Sequence, residues 1–402
     1  MSLAKPIIDI HCHPSIKTWL FNSNFEDDHW SFSRDFFPTD MRCDYPKMKE
    51  GKVDLIMSAH YLTENNLITD CKNIKGLSKV LFFLWKNLKK KIESKSSPTK
   101  AFEQTMEIIK HFEKKINKAK KKGCKIEIAR SKKSMQNNLS KGNKVILHTI
   151  EGAHSLGRKI KGVSPNYIDH IDQFFKKGVC MITLGHFYKN DIVAPVESIP
   201  HAMKKKLGCT IKKNLSLGLT KVGEDVVKHM LDIGMIIDLT HATPVARKKI
   251  YRINESRGDK KRPLVFSHVG VYKHFNHPMA PTDEEILKIQ DCGGVIGVIF
   301  YNYWLIGKEE GDPVPTFIDF KKEYGMQHVI KTIDHIGKVT GTFENISIGS
   351  DLDGFTDPPD DLYNLAKMDS LRKRLVKKYG VAVSRKILGG NALRVLMNGW
   401  GR

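Results

Sequence analysis

Short apolar runs rich in β-branched residues recur along the chain, each followed by polar residues: Ile7–His11, Val53–Ala59, Ile126–Ala129, Val145–Ile150, Val179–Leu184, Met235–Leu239, Leu264–Phe266, Val295–Phe300 and Ile346–Ile348. Their length and composition predict buried strands. Between them the apolar spacing changes to a helical period. It predicts helices over Lys100–Lys121, Tyr167–Lys177, Lys221–Ile233, Pro244–Ile253, Asp283–Gln290 and Phe320–Ile336. Thr282 with Glu285 three residues on has the form of a capping box. Strands alternating with helices imply βαβ units and a parallel sheet, and right-handed crossovers in series give a doubly wound sheet or a barrel. The candidates slightly exceed eight, so one or two strands would be accessory in a (β/α)8 TIM-like barrel. A barrel takes about 250 residues; the 402 residues here suit one decorated domain spanning 1–402, with helical insertions expected near 19–45 and 62–98. No Gly-, Pro- or Ser-rich linker divides it.

The residues that end these strands carry the chemical signal. The first run closes in His11-Cys12-His13; alternate residues of a strand share a face, so the two imidazoles converge and Cys12 points away. Later runs end in Glu151, His241, His268 and Asp351. In parallel barrels, chemistry collects at the C-terminal ends of strands. One such histidine is unremarkable, but several ligand-type endings in one chain point to a metal site of His11, His13, Glu151, His241 and His268. Imidazole with carboxylate suits zinc, with manganese, iron or cobalt as alternatives. His60, His111, His170, His229, His328 and His335 lie inside strand or helix patterns and are expected to pack or face solvent. His277 lies in a turn, and Asp353 is expected to act as a partner within its loop. No G-x-S-x-G elbow, P-loop or G-x-G-x-x-G fingerprint is present, which removes the serine-hydrolase, kinase and dinucleotide readings.

The formal net charge is +23, and much of the excess falls between Lys72 and Lys144, as in Lys89-Lys90-Lys91 and Lys120-Lys121-Lys122. These lysines alternate with helix formers and few aromatics, which favours a solvated helix face over a nucleic-acid patch. None of the seven cysteines forms a C-x-x-C pair, and the odd count argues against a disulfide framework, so reduced thiols and a cytoplasmic setting are expected. No signal-peptide h-region is visible, and the most apolar run, Val80–Trp85, is too short to span a bilayer.

Taken in order, several segments resemble the membrane (renal) dipeptidase family of zinc metallopeptidases, in the amidohydrolase superfamily. They are Ile150-Glu151-Gly152-Ala153-His154, Thr183-Leu184-Gly185-His186, Gly218-Leu219-Thr220-Lys221-Val222-Gly223 leading to Ile237-Asp238-Leu239-Thr240-His241, Phe266-Ser267-His268, Gly349-Ser350-Asp351-Leu352-Asp353-Gly354 and Gly389-Gly390-Asn391-Ala392. The likeness covers nearly the whole chain. It implies two zinc ions bridged by Glu151, with His241 and His268 on one and the first-strand histidines on the other, and a dipeptide cleaved by hydroxide held between them. Asp351 would carry the proton to the leaving amine, and His186 would stabilise the tetrahedral oxyanion. A homodimer is compatible with the resemblance. Two positions depart from the family. His11-x-His13 stands where His-x-Asp is usual, and Met279 occupies the place of an arginine that grips the dipeptide carboxylate; Lys273 is near in sequence. Because methionine cannot replace a bidentate clamp, a lactone, ester or cyclic amide is an alternative substrate for the same site. A metal-free barrel binding a polyanion through its lysines is the reading from another class.

Overall fold

The computed structural model describes residues 6–31, 40–73, 91–200, 204–205, 207–210, 213–306 and 325–401. Its strands are β1 (Ile7–Cys12), β2 (Val53–Tyr61), β3 (Ile126–Ile128), β4 (Lys144–Glu151), β5 (Val179–Thr183), β6 (Ile236–Asp238), β7 (Leu264–Val269), β8 (Val295–Val298) and β9 (Ile346–Ile348). All pairings are parallel, in the order β2-β1-β9-β8-β7-β6-β5-β4, and β4 returns to β2 from Leu55↔Val145 to Tyr61↔Glu151. Eight strands therefore close a barrel. The ninth, β3, is the accessory one: it pairs with β4 only over Lys144–Ile146, and β5 takes over the same edge from His148 onward.

Two apolar layers follow from strand alternation. Ile8, Ile10, Leu55, Met57, Val145, Leu147, Met181, Ile236, Val265 and Val295 fill the barrel. Ala392, Val395, Leu396 and Trp400, on and just after the last helix (Asn391–Gly399), belong to the same cluster and plug one end of it. Residues of the opposite parity, such as Ile7, Ile56, Ile146, Ile182, Ile237 and Phe266, pack outward against the helices.

The helices over Lys100–Lys121, Tyr167–Lys177 and Lys221–Ile233 have the bounds expected, and Pro244–Glu255 and Asp283–Asp291 run slightly further. Thr282 and Glu285 form the capping box, each accepting the other's backbone N–H. The helix expected over Phe320–Ile336 is observed at Gln327–Thr340; residues 320–324 lie outside the described residues, as does Val80–Trp85. The Lys100–Lys121 helix buries Ile108, Ile109, Phe112 and Ile116 and turns Lys110, Lys114, Lys118 and Lys121 to solvent, the solvated face expected. Among the described residues no helix is long and apolar enough to cross a membrane.

The cysteine expectation is corrected. Cys71 and Cys209 form a disulfide across 138 residues of sequence, while Cys12, Cys43, Cys124, Cys180 and Cys292 are free. Spacing alone carries no information on pairing, and the two segments meet only through the fold, as an isolated antiparallel bridge between Cys71 and Cys209. The cytoplasmic expectation loses that part of its premise.

Candidate metal centre

Strict alternation would turn His11 outward, on the parity of Ile7. A register shift between Asp9 and Cys12 changes the phase of β1, so His11 and His13 face the barrel mouth. A bulge re-aims side chains in this way. A second shift, between Phe266 and Val269, does the same for His268 in β7. His241, just beyond β6, gets its direction from a left-handed backbone (φ 66°), and Asp351 beyond β9 shares it (φ 59°). Non-glycine residues hold this conformation only where their surroundings enforce it, and such positions cluster at functional sites.

The result is a ring of nitrogen around one carboxylate. The Nε2 atoms of His11, His13, His186, His241 and His268 lie 3.4–3.5 Å from Glu151 oxygens. All six residues are buried. His11 and His13 bring their Nε2 atoms to 3.0 Å of one another, and His241 and His268 theirs to 3.1 Å. Asp351 Oδ1 stands 3.2 Å from His13 Nε2 and 3.8 Å from His11 Nε2. Three ligand sets are close enough to share an ion: His11–His13–Glu151, Glu151–His241–His268 and His11–His268–Asp351. The five metal candidates and both catalytic candidates of the sequence are thus brought together.

The second nitrogens decide what the first can do. Ser267 Oγ donates to Asp238 Oδ2, so its lone pairs are left to accept from His11 Nδ1 at 3.1 Å and His268 Nδ1 at 2.8 Å. His13 Nδ1 donates to the Ala59 carbonyl at 3.1 Å; Ser198 Oγ donates to the Val196 carbonyl at 3.4 Å, which leaves it to accept from His241 Nδ1 at 2.7 Å. All four protons therefore sit on Nδ1, and four Nε2 lone pairs face inward. Opposed lone pairs at 3.0 Å repel, unless a cation lies between them. Two nitrogens each bound to one zinc at 2.0–2.1 Å stand about 2.9–3.4 Å apart for right-angled to tetrahedral geometry, so the donors present fit divalent metal.

Electrostatics agree. Burial pushes Glu151 toward protonation, yet the imidazoles of His186 and His13 hold it well below the ordinary carboxylate range. Burial, then His11, keeps His268 well below the usual imidazole range, in the neutral form that ligates. At His13 burial opposes charge, but Glu151 and Asp351 outweigh it and raise the ring above its usual value, so the acids favour a positive charge at Nε2, where a bound cation would take the place of that proton.

Beneath the ring, Asp238 accepts Thr183 Oγ1, Thr240 Oγ1 and the Ser267 amide, tying β5, β6 and β7 together. Asp9 accepts the Ser350 amide and hydroxyl, joining β1 to the Asp351 loop. Asp353 accepts the amides of Arg42 and Cys43, so these partners lie in the segment before β2 and not within its own loop as expected. The sequence reading missed Ser198 and Glu64 altogether. Glu64 follows β2 as the other site residues follow their strands, so the strand-end signal was there to find it.

Met279 is buried, and its carbonyl and that of Pro278 accept from Arg247 Nη1. Arg247 is itself paired through Nε and Nη2 with Glu285, so no guanidinium in this loop is left for a substrate. Lys273 is exposed, and His277 accepts the Met279 amide.

A family model described as membrane dipeptidase, peptidase family M19, matches residues 2–398. The chain belongs to the M19 membrane dipeptidase family. Among its relatives, an uncharacterized dipeptidase of Schizosaccharomyces pombe is 28% identical over 249 residues, 61% of this chain and 51% of that protein. An uncharacterized protein from the pqqA 5' region of Klebsiella pneumoniae is 31% identical over 187 residues, 46% of this chain and 62% of that one. The matched stretch thus spans about half to three-fifths of these relatives' length. Among solved structures, a metallopeptidase from Rhodobacter sphaeroides, liganded with a phosphinate mimic of L-Ala-D-Ala, superposes with a TM-score of 0.71 at 16% identity, covering 99% of this chain and 100% of that one. The probable dipeptidase PvdM from Pseudomonas aeruginosa gives 0.69 at 16% identity, covering 98% and 96%. At these identities the likeness establishes the shared barrel fold.

Proposed function

We propose that this M19 family member is a zinc-dependent hydrolase, one barrel domain over 1–402, that cleaves small dipeptides at a binuclear centre. The observation that carries the reading is the convergence of five Nε2 atoms on Glu151. His11 and His13 would hold one ion and His241 and His268 the other, with Glu151 shared. When bound, such ions acidify a water to a nucleophile at neutral pH and polarise the scissile carbonyl. Asp351 lies beside the His11–His13 pair, where its carboxylate accepts the proton of the attacking water and returns it to the leaving amine. His186 faces the same space and stabilises the developing oxyanion.

A second reading keeps the centre and changes the bond. Met279 is apolar and buried and Arg247 is already paired, so uncharged amides, lactones and esters are favoured over substrates that need a carboxylate clamp. The test is metal content of the purified protein together with L,L and L,D dipeptides, capped amides and lactones, with and without zinc. About two ions per chain with dipeptide turnover, lost at least ~100-fold in Asp351→Asn, supports the dipeptidase. Two ions with turnover of lactones or capped amides alone supports the second reading. No metal uptake from added zinc defeats both and leaves a polyanion-binding barrel. A cytoplasmic setting requires Cys71 and Cys209 to be reduced in the cell, which alkylation at lysis would reveal.

A further inference from the structure

We propose that Glu64 is the positioning residue of His186, holding the ring by Nδ1 so that Nε2 faces the reacting carbonyl. The inference rests on the role given to His186 above. Glu64 follows the C-terminal end of β2 and is 2% exposed. Its Oε2 lies 3.0 Å from His186 Nδ1 and accepts the Tyr61 hydroxyl at 3.2 Å. Its Oε1 accepts the Tyr188 amide at 2.9 Å, two residues beyond His186, and stands 3.9 Å from His154 Nδ1. One carboxylate thus grips both the ring and the backbone of the loop that carries it.

A buried carboxylate is costly unless its oxygens are hydrogen-bonded. Here the surrounding donors meet that need. Burial favours the protonated acid, but His154 and His186 keep Glu64 below its usual range, ionised and able only to accept. His186 Nδ1 must then carry the proton it gives to Glu64. The opposite edge of the ring, Nε2, is 3.4 Å from Glu151 Oε2 and faces the substrate; to stabilise an oxyanion it must first take a proton from solvent, and the anionic Glu64 at Nδ1 favours the imidazolium that results. The rings of Tyr61 and Phe187 lie 4.5 and 3.8 Å from it between centroids. These contacts limit translation but do not distinguish the two faces of an imidazole; Glu64 does. The logic is that of a carboxylate fixing the tautomer and orientation of a working histidine.

The test uses the zinc-loaded full chain with Glu64→Gln and Glu64→Ala. Glutamine keeps the shape but can no longer accept at both oxygens. The expected result is a kcat lower by about 10- to 100-fold in Glu64→Gln, with KM and metal content within about twofold of wild type. Nitrogen-15 spectra of histidine-labelled protein, with His186 assigned by its loss in His186→Asn, should show the proton on Nδ1 in wild type and a mixture in the variants. A merely structural Glu64 would lower thermal stability without moving the tautomer. Wild-type kcat in Glu64→Gln, or a wild-type His186 protonated on Nε2 alone, overturns the proposal. If wild type cleaves no dipeptide, the substrate reading fails, and the nitrogen spectra still judge Glu64 on their own.

Discussion

Ser267 does more for the centre than its size suggests. A single hydroxyl, committed to Asp238, sets the tautomers of both His11 and His268, residues that the proposed centre assigns to different ions. In Ser267→Ala both imidazoles lose the acceptor that holds Nδ1–H. Zinc affinity, measured by competition with a chromophoric chelator, should fall about 10- to 100-fold. The buried Asp238 also loses a donor, at a cost of about 1–3 kcal/mol read by denaturant unfolding. This level shows where sequence reasoning stops. Ligand types at strand ends are written in the chain, and His11, His13, Glu151, His186, His241, His268 and Asp351 all reach one space. Their orienting partners are not: Ser198 is 43 residues from His241 and Glu64 is 122 from His186, and only folding brings them together.

The nine strands were legible because each is a compact apolar run, and one helix start was marked in the sequence by its cap, Thr282; Asn166, Thr220 and Thr243 cap three more in the structure. What alternation could not supply was phase. It correctly put His11 and His13 on a common face, but the shift in β1 decides that this face is the inner one. That β3 would be accessory also lay beyond the pattern, since its run resembles the others. Close approach between elements makes two glycines necessary: a Cβ at Gly349 would stand 1.7 Å from the Ser267 carbonyl oxygen, and one at Gly297 2.0 Å from it. Gly349→Ala should displace Ser267, lowering stability by about 3 kcal/mol or more and zinc occupancy with it, as thermal melts and metal analysis would show. The disulfide ties the segment after Glu64 to the one after Ile199. Denatured, unreduced protein should titrate five thiols and reduced protein seven. Cys71→Ser with Cys209→Ser should cost about 2–4 kcal/mol in unfolding experiments.

At the scale of the molecule, the centre exists only when the barrel is closed, because its side chains come from β1, β4 and β7 and from the segments just beyond β1, β5, β6 and β9. Metal that binds the folded chain alone stabilises it, by about 4 kcal/mol for each ion present at a thousand times its dissociation constant. Chelation should therefore lower the melting temperature, and zinc should restore it; equal melting with and without metal would contradict a centre assembled from so many strands. The lysines that the Lys100–Lys121 helix turns to solvent are part of a chain with a formal charge of +23. They bear on the encounter with substrate and not on the bond that breaks. A zwitterionic dipeptide has no net charge, so this field exerts no first-order pull on it, and its kcat/KM should be flat in ionic strength. A dipeptide with an aspartyl or glutamyl side chain carries one excess negative charge and is steered toward the protein. Its kcat/KM should fall as salt shortens the screening length to about 10 Å at 0.1 M. The protein would then favour acidic dipeptides in dilute buffer by rate of capture alone, with no contact in the site selecting for them.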